Sequence, residues 1–133
     1  MRPRRRVAIT GVGMVTPVGG DAPTSWASLL AGRSGVGLIR HFDASGFPVR
    51  IGAEVKEMPN EATLCDPKLL KFASRSHRFA LAAASEALAD AGIRPLAGDS
   101  HRWGASVGAG MLGVSFGELQ AVHAFCSPDG EFN

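Results

Sequence analysis

Three glycine clusters, a few cysteines and histidines, and a run of spaced cations are the residues of this sequence whose types and spacing could do chemistry. Gly11-Val12-Gly13 follows a short apolar run, and two glycines after a strand let backbone approach a pyrophosphate. The pattern then fails, because Thr16 stands where a third glycine belongs, Pro17 follows where a helix should run, and no acidic residue ends a second strand about 20 positions on. Gly108-Ala109-Gly110-Met111-Leu112-Gly113 completes G-x-G-x-x-G. Its ribose-binding carboxylate would fall beyond Asn133, which leaves a nucleotide-binding module as one alternative. Gly113-Val114-Ser115-Phe116-Gly117 fits the G-x-S-x-G of a nucleophile elbow, but only His123 and then Asp129 follow, in the wrong order and too close.

His123 and Cys126 stand three apart, yet two ligands do not make a metal site, and a surface histidine beside an ordinary buried cysteine is the expected reading. Cys65 and Cys126 are too few and too far apart for a disulfide framework, which fits a reduced, cytoplasmic protein. Lys68, Lys71, Arg75 and Arg78 fall at i, i+3, i+7 and i+10, with no acidic residue between the first and the last. On one helix that spacing stacks four cations along one side, a solvated face that can also dock an acidic protein.

The elements that must position these groups follow from pattern. Alternation from Arg5 to Thr10, with Val7 and Ile9 on one side, predicts a first strand. Asp21 or Thr24 can cap a short helix carrying Trp26, Leu29 and Leu30, with Gly32 placed to end it. Val49, Ile51, Ala53 and Val55 alternate with polar or small residues, the period of a second strand with one wet face. Asp66 as N-cap, Pro67 in the first turn and Gly92 as stop delimit one long helix, whose many alanines imply close approach to a helix or sheet. A turn lies around Pro95 to Asp99, WGASVGAG predicts a third, buried strand, and GVSFGELQAVHAF begins another helix before a closing turn, SPDGEFN. Strand and helix alternate, so the expected class is a layered α/β fold, with the second strand antiparallel or at an edge. Three strands make a small sheet, and the expectation is a piece of a larger one.

Composition agrees with a globular domain: 133 residues, 45% hydrophobic, 20% charged, net charge +2. Glycine is the outlier, seventeen in all, about 13% against a usual level of about 7%. Arg2, Arg4, Arg5 and Arg6 concentrate the positive charge, and the remaining 10 basic residues face 12 acidic ones. The body therefore has no polyanion-binding excess, and without aromatics interleaved in a basic surface a nucleic-acid binder is excluded. The arginines ahead of VAITGVGMV imitate a secretory signal, but Thr10, Gly11, Gly13, Thr16 and Pro17 break the apolar stretch. No run reaches the roughly 18 apolar residues of a membrane span.

RRVAITGVGMVTPVG, the stretch from Trp26 to Gly35, His41-Phe42-Asp43 and the alanine-rich helix ending Leu88-Ala89-Asp90-Ala91-Gly92 together resemble the start of a β-ketoacyl-(acyl-carrier-protein) synthase of the elongating type. The resemblance runs from Arg5 to about Leu119 in order and spacing, so residues 1–133 read as the N-terminal part of that family's N-terminal domain.

The resemblance implies a thiolase-like layered α/β fold, a homodimer or heterodimer when complete, and decarboxylative Claisen condensation of an acyl thioester with malonyl-carrier protein. In the family a cysteine takes the acyl chain as a thioester, while two histidines and backbone donors stabilise enolate and oxyanion. That cysteine stands in a Thr-Ala-Cys-Ser type motif well beyond this region, so neither Cys65 nor Cys126 is assigned as nucleophile and no catalytic residue is named. No cofactor is implied, because the substrates ride on the phosphopantetheine of an acyl carrier protein. Two assignments carry over by position: the Gly108–Met111 loop, with Gly110 and Met111 as acyl-pocket wall, and Lys68 and Lys71 as residues facing the acidic carrier. A flexible thioether suits a wall that must move as acyl length grows. Arg75 and Arg78 receive no such role. The alternative within the same resemblance is a non-catalytic, chain-length-factor-like subunit that completes a partner's fold.

Overall fold

The computed structural model describes residues 6–58, 66–94, 100–110 and 116–126. They form α1 (Ala22–Leu30), a β-hairpin of β1 (Val36–Leu38) and β2 (Ile51–Ala53), a short α2 (Pro67–Leu70), the main helix α3 (Arg75–Asp90), a single 3-10 turn (Ser100–Arg102) and α4 (Phe116–Cys126). The described architecture is thus mixed helix and strand.

α1 begins where Asp21 accepts the Thr24 N–H at 2.7 Å and the Thr24 hydroxyl at 2.5 Å. Asp21, not Thr24, is therefore the cap, and Gly32, at φ +64°, supplies the left-handed turn that ends the helix. β1 and β2 are antiparallel, with Val36 opposite Ala53 and Leu38 opposite Ile51. The expected strand over residues 49–55 shrinks to three residues, and its partner lies between Gly32 and Val49, where the pattern predicts no element because Gly35 and Gly37 mask the alternation.

The expected single helix from Asp66 to Gly92 is two helices. Asp66 does cap the first, accepting the Lys68 N–H at 2.9 Å, but Ser74 sits at φ −63°, ψ 167° and restarts the chain as a new N-cap. Its hydroxyl faces the His77 N–H while His77 Nδ1 accepts the Ser74 N–H at 3.2 Å, a capping box with histidine in the usual glutamate place. Gly92, at φ +64°, ends α3 as expected.

The predicted first strand is not paired: residues 6–15 carry no regular structure, and neither do residues 103–109 of the predicted third strand. An extended segment becomes a strand only through ladder bonds, and no described residue supplies them to either stretch. The parallel-type layers of the expected fold are accordingly absent among the described residues.

What residues 11–14 do instead is lie along α3. A methyl group at Gly11 would overlap the carbonyl oxygen of Ala87, and one at Gly13 that of Ala83, so both positions need glycine for the backbone to reach the helix. Two carboxylates of α3 complete the contact. Asp90 accepts the Val12 N–H at 2.9 Å, and Glu86 accepts Met14 N–H at 2.8 Å and Ala22 N–H at 2.7 Å, the last an otherwise orphaned donor of α1. The alanines of α3 thus serve close approach, but to an irregular backbone segment and not to the expected helix or sheet.

Only Ser25, Ser28, Ala44 and Ala82 are buried among the described residues. Ser25 is wholly enclosed and locks the Thr16–Gly19 turn to α1, its hydroxyl meeting Thr16 Oγ1 at 2.9 Å and the Gly19 carbonyl at 3.2 Å. Large apolar side chains stay open, among them Val7 at 93%, Phe72 at 87% and Phe125 at 89% exposure. That is far more apolar surface than a finished core leaves uncovered.

Candidate functional site

The four cations from Lys68 to Arg78 do not form one stripe, because the break before Ser74 divides them between two helices. They also divide by what their charge meets. Lys68, in α2, and Lys71, its C-cap, are exposed. Arg75 turns to the hairpin, donating to the Val55 carbonyl at 2.9 Å and placing its guanidinium 5.2 Å from the centre of the Phe79 ring. Arg78 turns back on the break, its Nε donating to the Ala73 carbonyl and its Nη2 to the Leu70 carbonyl, both at 3.2 Å. Two cations therefore face solvent and two hold structure.

Between the hairpin and α3 lies a cleft of about 510 Å³, lined by His41, Phe42, Glu54, Arg75 and Phe79 among others. Glu54 accepts the His41 N–H at 2.9 Å and the Arg40 N–H at 3.1 Å. These two backbone donors, His41 first, hold its carboxyl below the usual glutamate range, so the one carboxylate lining the cleft is tied across the hairpin to the chain that follows β1. A second cleft, of about 350 Å³, opens over the Thr16–Gly19 turn and carries Arg33, Lys56 and Glu57 on its rim.

The other predicted site residues are placed as follows. Gly108 and Gly110 are exposed, and a methyl group at either would meet open space. Met111, Ser115 and Cys65 lie outside the described residues, as do the side chains of His123 and Cys126. No group of three or more metal-ligating side chains occurs among the described residues. Gly11 and Gly13 are not available to a phosphate, since α3 fills the space against them. Glu86 and Asp90 are the groups that sequence reasoning missed. Their signal was an i, i+4 carboxylate pair beside Ala83 and Ala87, on the face where a small-residue helix would meet backbone.

Comparison with known proteins gives these features a context. Residues 4–127 match the family model of the β-ketoacyl synthase N-terminal domain. The chain is 42% identical over 114 residues to the tetracenomycin polyketide synthase ketoacyl synthase beta subunit of Streptomyces glaucescens, with 86% of this chain and 28% of that protein aligned. It is 39% identical over 111 residues to 3-oxoacyl-[acyl-carrier-protein] synthase 2 of Coxiella burnetii, covering 84% of this chain and 27% of that one. With the chloroplastic 3-oxoacyl-[acyl-carrier-protein] synthase II of Arabidopsis thaliana the identity is 37% over 137 residues, 94% of this chain and 25% of the relative. The chain thus spans little more than a quarter of the length of the curated relatives it matches.

Proposed function

Because the chain belongs to the β-ketoacyl synthase family through its N-terminal domain, we propose that it forms the opening part of a condensing enzyme that elongates acyl chains in fatty-acid or polyketide synthesis. The observation that carries this reading is the family match of residues 4–127, set beside relatives named as ketoacyl and 3-oxoacyl-carrier-protein synthases. The reaction is decarboxylative Claisen condensation. An acyl group rests on a cysteine as thioester; loss of carbon dioxide from malonyl-carrier protein leaves an enolate, whose carbon attacks the thioester carbonyl and expels the cysteine thiolate. That cysteine and the two histidines belong to the part of the family's length that this chain does not span.

In this reading the described residues support the reacting groups without joining them. The Gly11–Met14 segment, clamped to α3 by Glu86 and Asp90, is a rigid base. The surface left open around Val7, Ile9 and Val107 is where further layers of a thiolase-like fold, and a second subunit, would pack. Lys68 and Lys71 meet the acidic carrier protein, and Gly110 with Met111 borders the acyl pocket. No described helix is long and apolar enough to cross a membrane, and the reading places the protein in the cytoplasm. No cofactor enters, since the phosphopantetheine arrives on the carrier.

A second reading rests on the 42% identity to a protein named as a beta subunit. In it the complete protein is a non-catalytic, chain-length-factor-like member that pairs with a catalytic partner. Intact-mass analysis of the protein expressed from its own locus, before and after incubation with acyl-carrier protein, decides between them. A product of the relatives' length that gains one acyl group on a Thr-Ala-Cys-type cysteine establishes the condensing enzyme, whereas a product of that length that gains none favours the beta-subunit role.

A further inference from the structure

The break between α2 and α3 poses a positioning problem. α2 has only four residues, too few to hold a helical turn through its own cooperativity, and it carries Lys68 while Lys71 caps it. The break also leaves the Ala73 carbonyl without the partner that a continuous helix would give it, while the Leu70 carbonyl keeps a turn bond from the Ala73 N–H at 3.2 Å. Arg78 answers both. From the first turn of α3 it reaches back across the gap, with Nε on the Ala73 carbonyl and Nη2 on the Leu70 carbonyl, each at 3.2 Å. Two donors of one planar group on two carbonyls three residues apart fix a corner in a way that a single contact cannot.

We propose that Arg78 is a positioning residue for carrier docking: its guanidinium staples the α2–α3 corner so that Lys68 and Lys71 present their charges to one acidic partner. The inference rests on the docking role proposed above for the two lysines. Lys71 lies between the two stapled carbonyls in sequence, and Lys68 lies two residues before the first of them in the same short helix, so both ride on the segment that Arg78 holds. Arg78 is itself half-buried and directed to backbone, whereas the lysines are exposed. Arg75 separates this role from general basicity, because it is a cation on the same helix tied to the hairpin at Val55 instead of to the corner. Without the staple the lysines keep their charge but must be ordered when the carrier arrives, and that ordering weakens binding.

The test uses the natural protein carrying this segment and measures its Kd for the carrier protein by calorimetry, alongside its thermal midpoint. Arg78→Ala is expected to raise the Kd about threefold to tenfold, the scale of ordering a few side chains, with Arg78→Lys recovering part of the loss and Arg75→Ala leaving the Kd unchanged. The decisive measurement is coupling: with Lys68 and Lys71 both replaced by Ala, Arg78→Ala should have no further effect on the Kd. An equal effect in both backgrounds, or an equal loss from Arg75→Ala, overturns the positioning role and makes Arg78 a plain stabiliser. If the lysine substitutions weaken the carrier but Arg78→Ala does not, the staple is refuted and docking stands. If the lysine substitutions themselves change nothing, the docking role fails and this inference with it.

Discussion

The carboxylate of Glu86 accepts the backbone N–H of Met14 at 2.8 Å across 72 residues of chain, and its other oxygen takes the N–H of Ala22. One side chain of α3 thereby holds the N-terminal segment and the start of α1 together. Hydrogen bonds to a charged acceptor contribute about 1.5–3 kcal/mol each, so Glu86→Ala should lower the unfolding free energy of the natural protein by an amount on that scale. Glu86→Gln, which keeps only one acceptor oxygen, should fall between. Urea midpoints for the three proteins check this, and indistinguishable midpoints would remove Glu86 from the clamp.

The two glycines that lie against α3 make a steric prediction. Gly13→Ala forces a methyl group into the Ala83 carbonyl, while Gly104→Ala adds one to open space. Overpacking of a close contact costs about 1–3 kcal/mol, so the first substitution should depress the thermal midpoint by several degrees and the second should hardly move it. A similar shift in both would mean that the segment does not sit on the helix.

These contacts also show what could be read from residues alone. Caps and stops were legible where one side chain decides the backbone: Gly32 and Gly92 end helices as the spacing predicts, Asp21 is one of the two caps it offers for α1, and Asp66 is a cap, though of the short α2 and not of one long helix. The helix break was hidden because Ser74 caps through a histidine, and apolar periodicity runs on through Leu69, Phe72 and Phe79 as though nothing intervened. The strands expected at residues 6–10 and 103–110 stay unpaired among the described residues, because alternation in the first and small residues in the second report which faces a segment would present and not whether a neighbour pairs with it. At the candidate site, likeness to a family suggests Lys68 and Lys71, but no sequence spacing could show that Arg75 and Arg78 bond backbone carbonyls, since that depends on where the Val55, Leu70 and Ala73 carbonyls end up.

Acid should act on α1 through its cap. The Thr24 hydroxyl, and then the Thr24 backbone N–H, hold the Asp21 carboxyl below the ordinary aspartate range. A folded-state pKa depressed in this way gives stability that is fully present above the unfolded value of about 3.9 and is lost as pH falls through the folded value. Asp21→Asn keeps a capping oxygen but does not titrate. The stability gap between the native protein and this variant should therefore be constant near neutral pH and close below about pH 4. A gap that persists unchanged into acid would show that the carboxylate form contributes nothing to the cap.

On the proposed reading the nucleophile lies outside residues 1–133, so this chain by itself should accept no acyl group. Incubation with acyl-carrier protein followed by intact-mass measurement should leave its mass unchanged. Stoichiometric acylation at Cys65 or Cys126 would contradict the assignment of the reacting cysteine elsewhere.

Charge reversal at the exposed lysines tests the proposed docking surface directly. Exposed ion pairs contribute only about 0.2–1 kcal/mol each, so Lys68→Glu with Lys71→Glu should weaken carrier binding through added repulsion more than through lost attraction. In the natural protein the KM for the carrier-borne substrate should rise severalfold at low salt, and the difference should shrink at high ionic strength as the charges are screened. A small acyl-thioester analogue lacks the carrier's acidic surface, and its KM should stay put. Because neither lysine is buried, the double variant should also keep its thermal midpoint, which separates lost docking from lost structure. Equal losses with both substrates would mean instead that the α2–α3 corner itself is damaged, and would take the carrier away from this face.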